Sequence, residues 1–376
     1  MSDNDKRLLF AVTIAPTIRI LMDGQIQWLT QQGYEVHTCS SGELESTRSD
    51  QAFTHQHHVI PMTRKMSPVR DLLSILKWFR VIASVRPHTL VASTPKAALV
   101  SLIAGKALRV PHRVYLLRGL RLETSTGWRR RVLAIAEKIC VSCADVVIAV
   151  SPSVGRELVD LGLAPAIKVR HVGQGSSNGV NASWFVPLPD DQRANLRAEL
   201  GITPDVVLIA FVGRLVTDKG WDVFCEATRI AGVKHPQIQA VALGSNEESL
   251  TVPEWIRNIG VTDDIRKWYQ AMDVLVLPTF REGFPNVPLE AAACAVPTIA
   301  SKATGAVDSV VDGVTGLLVE VKDVEQTAAA IALLARDEAL RHQLGRAARD
   351  RVINEFRPED IWQGYLDIYN SLSSTP

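Results

Sequence analysis

The stretch "DVVLIAFVGRLVTDKGWDVFCEATRIAG", residues 205–232, decides the fold. Its opening residues are almost entirely apolar, which is typical of a strand that is buried on both faces of a parallel sheet. The segment that starts at "DKGW" predicts a helix, and a buried strand followed at once by a helix is half of a βαβ unit. The polar residues between the two lie at the carboxyl end of a strand, where doubly wound sheets bind ligands.

The same alternation of strand and helix extends through most of the chain. Before residue 180, "RLLFAVTI", "TLVAS" and "DVVIAVS" predict strands, and "AALVSLIAGKAL" and "WRRRVLAIAEKIC" predict helices. After residue 180 the alternation starts again with the stretch quoted above. Residues 173–191, between the two series, are rich in the Gly, Ser, Asn and Pro of a linker. The sequence therefore predicts an α/β protein with two tandem Rossmann-like doubly wound domains.

These patterns divide the chain into three parts. We expect one domain over residues 1–180, a second over residues 181–357 and a C-terminal helix over residues 358–376. The last part carries an apolar stripe at helical spacing, formed by Ile361, Tyr365, Ile368 and Leu372. Such a stripe has to dock on another surface, and we expect the helix to cross back to the first domain.

Charge is divided unevenly between the two halves. Hydrophobic residues make up 47% of the chain and charged ones 22%, which excludes a disordered protein, and no apolar run approaches the roughly 20 residues of a membrane span. The net charge of +1 combines 23 Lys/Arg and 13 Asp/Glu in residues 1–180 with 18 and 27 in residues 181–376. The basic half is therefore expected to face an anionic partner.

The cysteine and histidine residues do not predict a metal site. Five cysteines without a disulfide-like spacing fit a reducing compartment, and the N-terminus shows no secretory signal. Cys140 and Cys143 could form a redox or zinc pair, but a structural zinc site usually takes four ligands, so we expect two buried thiols. We expect His55, His57 and His58 to lie in a polar loop that enters a strand.

Two cations follow the strand of the opening stretch. Arg214 lies at the strand end and Lys219 at the start of the next helix. Two permanent charges beside a helix N-terminus can clamp a diphosphate. These residues alone leave open a solvated turn with an exposed Arg and Lys.

Two glutamates flank the segment "GFPNVPL" after a later strand. Asn286 is a good N-cap, so we expect a helix to start near it, with its free amide groups directed at a ligand. Glu282 precedes this helix, and Glu290 lies about one turn inside it. Carboxylates accept paired hydrogen bonds from vicinal hydroxyls such as those of a ribose or a pyranose. The alternative is two surface glutamates with no ligand.

Several motifs together resemble family 4 of the retaining glycosyltransferases, which have the GT-B fold. "EGFPNVPLE" matches the Glu-x7-Glu signature of that family, and "FVGRLVTDKG" matches its Gly-Arg-Leu…Lys-Gly segment. "NGVNASWF" is similar to its interdomain segment, with Asn181 for the usual Asp, and "TGAVDSVVDGVTGLLVEVKD" is similar to its next helix and strand, with Asp308 where Glu is commoner. The first half, in "YLLRGLRLETSTGWRRR", resembles a subgroup of capsular and surface polysaccharide biosynthesis.

The resemblance implies transfer of a hexose or N-acetylhexosamine from a nucleotide sugar, with UDP-sugars favoured and with retention of configuration. The acceptor would be lipid-linked or a polysaccharide precursor, bound by the first domain, and the second domain would bind the donor. The resemblance gives catalytic roles to Arg214, Lys219 and Glu282. It implies donor contacts by Gly213, Val261, Gly283, Phe284, Pro285, Asn286 and Glu290. It also implies that neither a metal nor another cofactor is needed.

The first domain departs from the family at the end of its fifth strand. Arg118 stands where a histidine commonly precedes Gly119, and an arginine suits a phosphate better. We therefore expect Arg118, Gly119 and Arg121 on the acceptor or phosphate side. The arginines at 129–131 also favour an anionic partner, namely a lipid diphosphate or a membrane surface, whereas we expect the helix at 68–86 to pack ordinarily on the sheet.

Other functions stay open on the same fold. They are a soluble glycosyltransferase for a small-molecule acceptor, a nucleotide-sugar epimerase and a non-catalytic sugar-nucleotide-binding protein. The basic first half disfavours the first two, and the intact charged motif residues disfavour the third. No motif indicates nucleic-acid binding. We expect a cytoplasmic protein that associates peripherally with the inner face of the cytoplasmic membrane.

Overall fold

The computed structural model describes residues 6–44, 56–62 and 68–373, of which 68–72 are described as backbone only. The chain forms two compact units. The first unit comprises the described residues up to Asn178 together with those from Pro358 onward, and the second comprises Gly179–Arg357.

The first unit is built on a parallel sheet. Its described strands are β1 (Arg7–Ala11), β2 (Glu35–Ser40), β3 (Gln56–Val59), β4 (Thr89–Ser93), β5 (His112–Leu117), β6 (Val146–Ala149) and β7 (Val169–Arg170). They lie in the order β3-β2-β1-β4-β5-β6-β7, with Leu9 opposite His37 on one side and Leu90 on the other. The chain order reverses between β1 and β4, which makes the carboxyl edge there a switch point.

Helices cover the faces of this sheet. They are α1 (Ala15–Leu21), α2 (Gln25–Gln31), α3 (Pro68–Val85), α4 (Pro95–Ala107), α5 (Gly127–Cys143) and α6 (Pro152–Asp160). Trp78 of α3, Leu102 of α4 and Cys140 of α5 meet in one buried cluster with β4 and β5. The prediction that the helix beginning at 68 packs ordinarily on the sheet agrees with this burial of Trp78.

The second unit is built on a second parallel sheet. Its strands are β8 (Val207–Val212), β9 (Ile238–Leu243), β10 (Ile256–Gly260), β11 (Val274–Leu277), β12 (Thr298–Ser301) and β13 (Gly316–Val319), in the order β10-β9-β8-β11-β12-β13. Its helices are α7 (Asp190–Glu199), α8 (Trp221–Lys234), α9 (Ile265–Ala271), α10 (Asn286–Ala293), α11 (Val324–Arg336) and α12 (Glu338–Glu355). The order reverses between the neighbours β8 and β11, so the loops that follow these strands meet at a switch point.

The C-terminal helix α13 (Pro358–Ser373) belongs to the first unit. Trp362 Nε1 donates to Asn178 Oδ1 at 2.6 Å, and the Tyr365 hydroxyl donates to the Ser176 carbonyl at 2.8 Å. Its buried residues are Ile361, Trp362, Tyr365, Leu366 and Tyr369. Ile368 and Leu372 of the predicted stripe are only partly buried. The fold prediction of two doubly wound sheets and a returning helix is thus confirmed. The buried face of α13 includes Trp362, Leu366 and Tyr369, which the predicted stripe did not.

The structure corrects one local prediction and agrees with another. His57 and His58 lie within β3 and not in a loop, and they bond to Thr38 at 2.8 Å and to His37 at 3.1 Å; His55 lies outside the described residues. Cys140 and Cys143 are free, buried thiols as expected. In the described part of the chain, no three His, Cys, Asp or Glu residues are placed to hold a metal, and no helix combines the length and hydropathy needed to cross a bilayer.

Candidate active site

A lysine–glutamate ion pair lies at the carboxyl edge of the second sheet. The chain leaves β8 through Gly213 and Arg214 and forms a short 3-10 turn at Thr217–Lys219. The Lys219 ammonium pairs with the Glu282 carboxylate, which lies on the loop after β11. The two side chains are 23% and 13% exposed, so the pair is largely shielded but still reachable from solvent. Two predicted catalytic residues are therefore in direct contact.

Gly220 fixes the position of this pair. Its φ is +73°, and a Cβ there would lie 2.0 Å from the carbonyl oxygen of Pro278. Only glycine tolerates such an approach, and the turn consequently packs directly on the end of β11. Phe280 N donates to Asp218 O at 2.9 Å, and the Arg281 guanidinium pairs with the Asp218 carboxylate at 2.9 Å. The backbone on both sides of Lys219 is thus held in place before any ligand binds.

Arg214 makes a looser ion pair. Its Nη1 lies 2.8 Å from Glu247 Oε2, and the two side chains are 52% and 45% exposed. An exposed pair of this kind contributes only about 0–1 kcal/mol, so an anionic ligand can take over the guanidinium at little cost. The sequence did not indicate Glu247, because it lies on the loop after β9 and belongs to no recognised motif.

Helix α10 begins at Asn286 as predicted, but Asn286 is not its N-cap. Pro285 occupies the cap position in an extended conformation, and none of the described side chains caps the helix. The prediction of an Asn286 cap is therefore wrong, because the proline before it already turns the chain into the helix. Asn286 Oδ1 is instead buried, and in the described part of the chain it has no hydrogen-bond partner. An orphaned buried acceptor is costly, and a ligand that donates to it would remove that cost.

Glu290 lies one turn inside α10 and accepts a hydrogen bond from a tyrosine. The Tyr269 hydroxyl donates to Glu290 Oε2 at 2.7 Å. Burial raises the pKa of Glu290, and the bond from Tyr269 opposes that rise. Tyr269 is itself fully buried, with the ring of Phe185 against its edge at 5.7 Å between centroids. The residue as a whole is partly accessible, at the carboxyl edge of the second sheet.

The other predicted donor-side residues differ in what they can offer. The Phe284 side chain is buried against Phe356, with centroids 5.6 Å apart, so only its backbone can reach a ligand. Gly283 packs against the backbone of Gly305, and Pro285 is buried. Val261 follows β10 and is 77% exposed.

The predicted acceptor-side residues belong to the first unit. Arg118 follows β5, and its Nε donates to Ser93 Oγ at 2.8 Å, at the end of β4. Its Nη1 is buried without a hydrogen-bond partner among the residues that the structure describes, and burial lowers the pKa of the guanidinium. Gly119 has φ +111°, and Arg121 is exposed. No carboxylate of the described residues pairs with Arg118, so an anion would stabilise its largely buried guanidinium.

Comparison with known proteins assigns the chain to a family. The model described as "Glycosyl transferase 4-like domain" matches residues 21–175, and the model "Glycosyl transferases group 1" matches residues 192–351. The capsular polysaccharide biosynthesis glycosyltransferase CapM of Staphylococcus aureus is 35% identical over 98% of this chain and 97% of its own. The chain belongs to the group 1 glycosyltransferases. The predicted family membership is therefore confirmed.

Solved structures show that this glycosyltransferase has the GT-B fold. Sucrose-phosphate synthase of Thermosynechococcus elongatus superposes with a TM-score of 0.80 at 21% identity, covering 98% of this chain and 99% of its own. Anabaena HepE, solved with UDP and glucose, superposes with a TM-score of 0.77 at 18% identity, covering 98% and 100%. In the glycosyltransferase described here, Arg214, Lys219, Glu282 and Glu290 all belong to the second unit, and Arg118 belongs to the first.

Proposed function

We propose that this glycosyltransferase transfers a sugar from a nucleotide-sugar donor to a lipid-linked or polysaccharide-precursor acceptor, with retention of configuration. The observation that carries the proposal is the Lys219–Glu282 pair at the switch point of the second sheet. The likeness to CapM supports a place in surface polysaccharide biosynthesis.

Lys219 and Arg214 would hold the diphosphate of the donor. Both are cations that already meet a single carboxylate each, and a diphosphate carries enough negative charge to engage both. The complex of HepE with UDP and glucose supports a UDP-sugar. A panel of UDP-hexoses and UDP-N-acetylhexosamines would separate the two donor classes.

Glu290 would hold the ribose of the nucleotide. Its Oε2 accepts from Tyr269, which fixes the plane of the carboxylate and leaves Oε1 to accept from a ribose hydroxyl. The orphaned Oδ1 of Asn286, at the start of the same helix, would accept from a hydroxyl of the donor. Glu282 would position both Lys219 and the sugar.

The chemical step breaks the bond between the anomeric carbon and the departing phosphate oxygen. The acceptor oxygen forms its new bond on the same face of the sugar, and its proton passes to the departing phosphate. Negative charge grows on that phosphate, and the positive charges of Lys219 and Arg214, both already at this edge of the sheet, stabilise it. We propose that these two cations suffice and that no metal is required.

The acceptor side would use the basic first unit. Arg118 offers a buried guanidinium nitrogen that no described residue engages, which suits the phosphate of a lipid-linked acceptor. An acceptor of this kind resides in a bilayer, so we propose a cytoplasmic enzyme that works at the inner face of the membrane.

Replacing Lys219 tests the proposed donor site. We expect Lys219→Ala to lower the turnover of the donor by about 30- to 1000-fold, since a preorganised charge at such a site contributes about 2–4 kcal/mol to the transition state. Turnover would be measured as UDP released in the presence of acceptor-containing membranes. Lys267→Ala is the matched control, because Lys267 also pairs with a glutamate of the second unit, Glu199, at 2.8 Å, but lies on the exposed face of α9. Turnover of Lys219→Ala within a few-fold of the control would rule out this role.

A further inference from the structure

The outer face of α5 carries three aligned, exposed apolar side chains. Trp128 is 64% exposed, Ile135 is 59% exposed and Ile139 is 36% exposed. At 100° per residue these three side chains lie within about 40° of one another on the helix, along roughly 17 Å of its length. Single exposed apolar residues are normal on a protein surface, but an aligned set of large ones marks an interaction site. We call these three residues the α5 stripe.

The inner face of α5 accounts for its packing on the sheet. Glu137, Cys140, Val141 and Cys143 are its buried residues, and Leu133 and Ala134 pack partly against the same core. The α5 stripe lies on the opposite side of the helix, so it is not needed for the fold. Its exposure therefore calls for a partner.

Cations border the α5 stripe on both sides. Arg131 and Lys138 lie about 60–80° to one side of it and Arg129 about 100° to the other, and the Arg129 guanidinium lies 5.8 Å from the Trp128 ring. Arg130 turns away and donates to the Leu122 carbonyl at 3.1 Å. The single carboxylate of α5, Glu137, is only 4% exposed and accepts from Tyr115. The exposed surface of α5 thus combines apolar side chains with positive charge and lacks negative charge.

We propose that α5 is the membrane-binding surface of this protein and that its partner is an anionic lipid bilayer. Trp128, Ile135 and Ile139 enter the boundary between headgroups and acyl chains, while Arg129, Arg131 and Lys138 contact the lipid phosphates. This is the arrangement of a helix that lies in the membrane plane, and tryptophan is a preferred residue at that depth. A soluble protein partner would not require cations on both borders of the stripe with no carboxylate between them.

This inference rests on the proposed function in one respect, since a lipid-linked acceptor gives the enzyme a reason to bind a bilayer. The inference also names the side chains that contact the bilayer. It predicts two separable contributions to the affinity for the membrane. The cations supply an attraction that salt weakens, within a Debye length of the surface. The α5 stripe supplies a contribution from apolar burial that salt does not weaken.

Vesicle flotation tests both components. With vesicles of equal phosphatidylglycerol and phosphatidylcholine, we expect the wild-type protein to float at low salt and to float partly at high salt. With phosphatidylcholine alone we expect much weaker binding. Trp128→Ser/Ile135→Ser should lower the partition coefficient by about tenfold or more at either salt concentration, since each inserted apolar side chain contributes to the affinity. Arg129→Gln/Arg131→Gln should remove mainly the part that depends on salt.

The matched control replaces exposed apolar residues elsewhere. Ile167 is 89% exposed in the first unit and Val233 is 75% exposed in the second, so Ile167→Ser/Val233→Ser removes comparable surface without touching α5. We expect this variant to float as the wild type does. Equal flotation of Trp128→Ser/Ile135→Ser and wild type would overturn the inference, and so would a wild type that never floats with anionic vesicles.

Nucleotide titration keeps this test apart from the proposed function. Each variant would be titrated with UDP, and thermal melts would check that it is folded. Trp128→Ser/Ile135→Ser should bind UDP as the wild type does, because α5 belongs to the first unit and the proposed nucleotide site to the second. Loss of flotation with intact UDP binding supports the inference. A wild type that floats but does not bind UDP would refute the UDP site proposed for the second unit and leave the inference about α5 intact.

Discussion

The two units contain the same pair of side chains in two different settings. In the first unit the Tyr115 hydroxyl donates to Glu137 Oε2 at 2.7 Å, and in the second the Tyr269 hydroxyl donates to Glu290 Oε2, also at 2.7 Å. Burial raises the pKa of both glutamates. Hydrogen-bond chemistry alone therefore does not distinguish one pair from the other.

The two tyrosine–glutamate pairs differ in their positions in the fold. Glu137 is 4% exposed, on the inner face of α5 where Cys140 and the rest of the core pack. Glu290 lies on α10, just after the switch point of the second sheet, and remains partly accessible. A buried carboxylate in a sealed core can only affect stability, whereas one at a carboxyl edge can meet a ligand. We therefore expect the first pair to govern stability and the second to govern nucleotide binding.

The largest expected effect concerns stability around Glu137. Burial raises the pKa of Glu137 to about 7, above its ordinary 4.5. Between these two values the unfolded chain releases a proton that the folded protein keeps, so the free energy of unfolding falls as pH rises. The loss amounts to about 3 kcal/mol by pH 8, at about 1.4 kcal/mol per unit of pKa. Glu137→Gln should lack this loss, as measured by urea denaturation at pH 5 and pH 8.

Comparing Glu137→Gln with the wild type separates the titration of Glu137 from that of all other groups. The stability difference between Glu137→Gln and wild type should shift in favour of the variant as pH rises from 5 to 8. If that difference is the same at both pH values, Glu137 does not hold its proton in the folded protein.

The next effect concerns nucleotide binding by Glu290. We expect Glu290→Gln to weaken UDP binding by about 1–3 kcal/mol, because a charged acceptor for the ribose hydroxyls is lost. Isothermal titration calorimetry measures this directly. Glu137→Gln is the matched control, since it makes the same substitution in the other pair, and its UDP affinity should equal that of the wild type. Equal affinities for all three proteins would remove Glu290 from the nucleotide site.

The smallest effect concerns the two tyrosines. Tyr269→Phe should weaken UDP binding by about 0.5–1.5 kcal/mol, because the carboxylate of Glu290 loses the bond that orients it. That bond also opposes the rise in the pKa of Glu290, so in the variant the loss of UDP affinity at acid pH should begin at a higher pH. A titration series from pH 5 to pH 8 checks this shift.

Tyr115→Phe is the control for this series. It removes the matching hydroxyl from the first unit, and we expect its UDP affinity and pH profile to match those of the wild type. A shifted pH profile in Tyr115→Phe, or an unshifted one in Tyr269→Phe, would show that the two pairs do not divide the roles in this way.

The sequence predicted the fold and the edge of the site well, for physical reasons. Buried parallel strands are apolar along their whole length, and the helices between them have their own period, so the alternation is visible in the chain. Because Lys219 and Glu282 follow neighbouring strands of one parallel sheet, their positions in the sequence were enough to expect them at one edge.

The side chains that bond to Glu290 and Arg214 could not be predicted from the sequence. Tyr269 and Glu247 lie on other segments, and only the folded sheet brings them to Glu290 and Arg214. The predicted cap at Asn286 is wrong because Pro285, one residue earlier, already occupies the cap position. For α5, the sequence showed three consecutive arginines but not which side of the helix faces solvent. For the partners and for α5 the missing information is a contact between segments, whereas the cap is decided by the adjacent proline.

The first unit is built from two segments that lie far apart in the chain. The helix α13 supplies Trp362 and Tyr365, which bond to Asn178 and Ser176, and a Cβ on Gly24 would lie 2.7 Å from the Trp362 ring. During synthesis, the ribosome has to make the whole of residues 179–357 before this helix emerges. At about 5–20 residues per second this takes roughly 10–40 s. For that time the nascent first unit lacks its covering helix, whereas the second unit can fold as soon as its own residues have emerged.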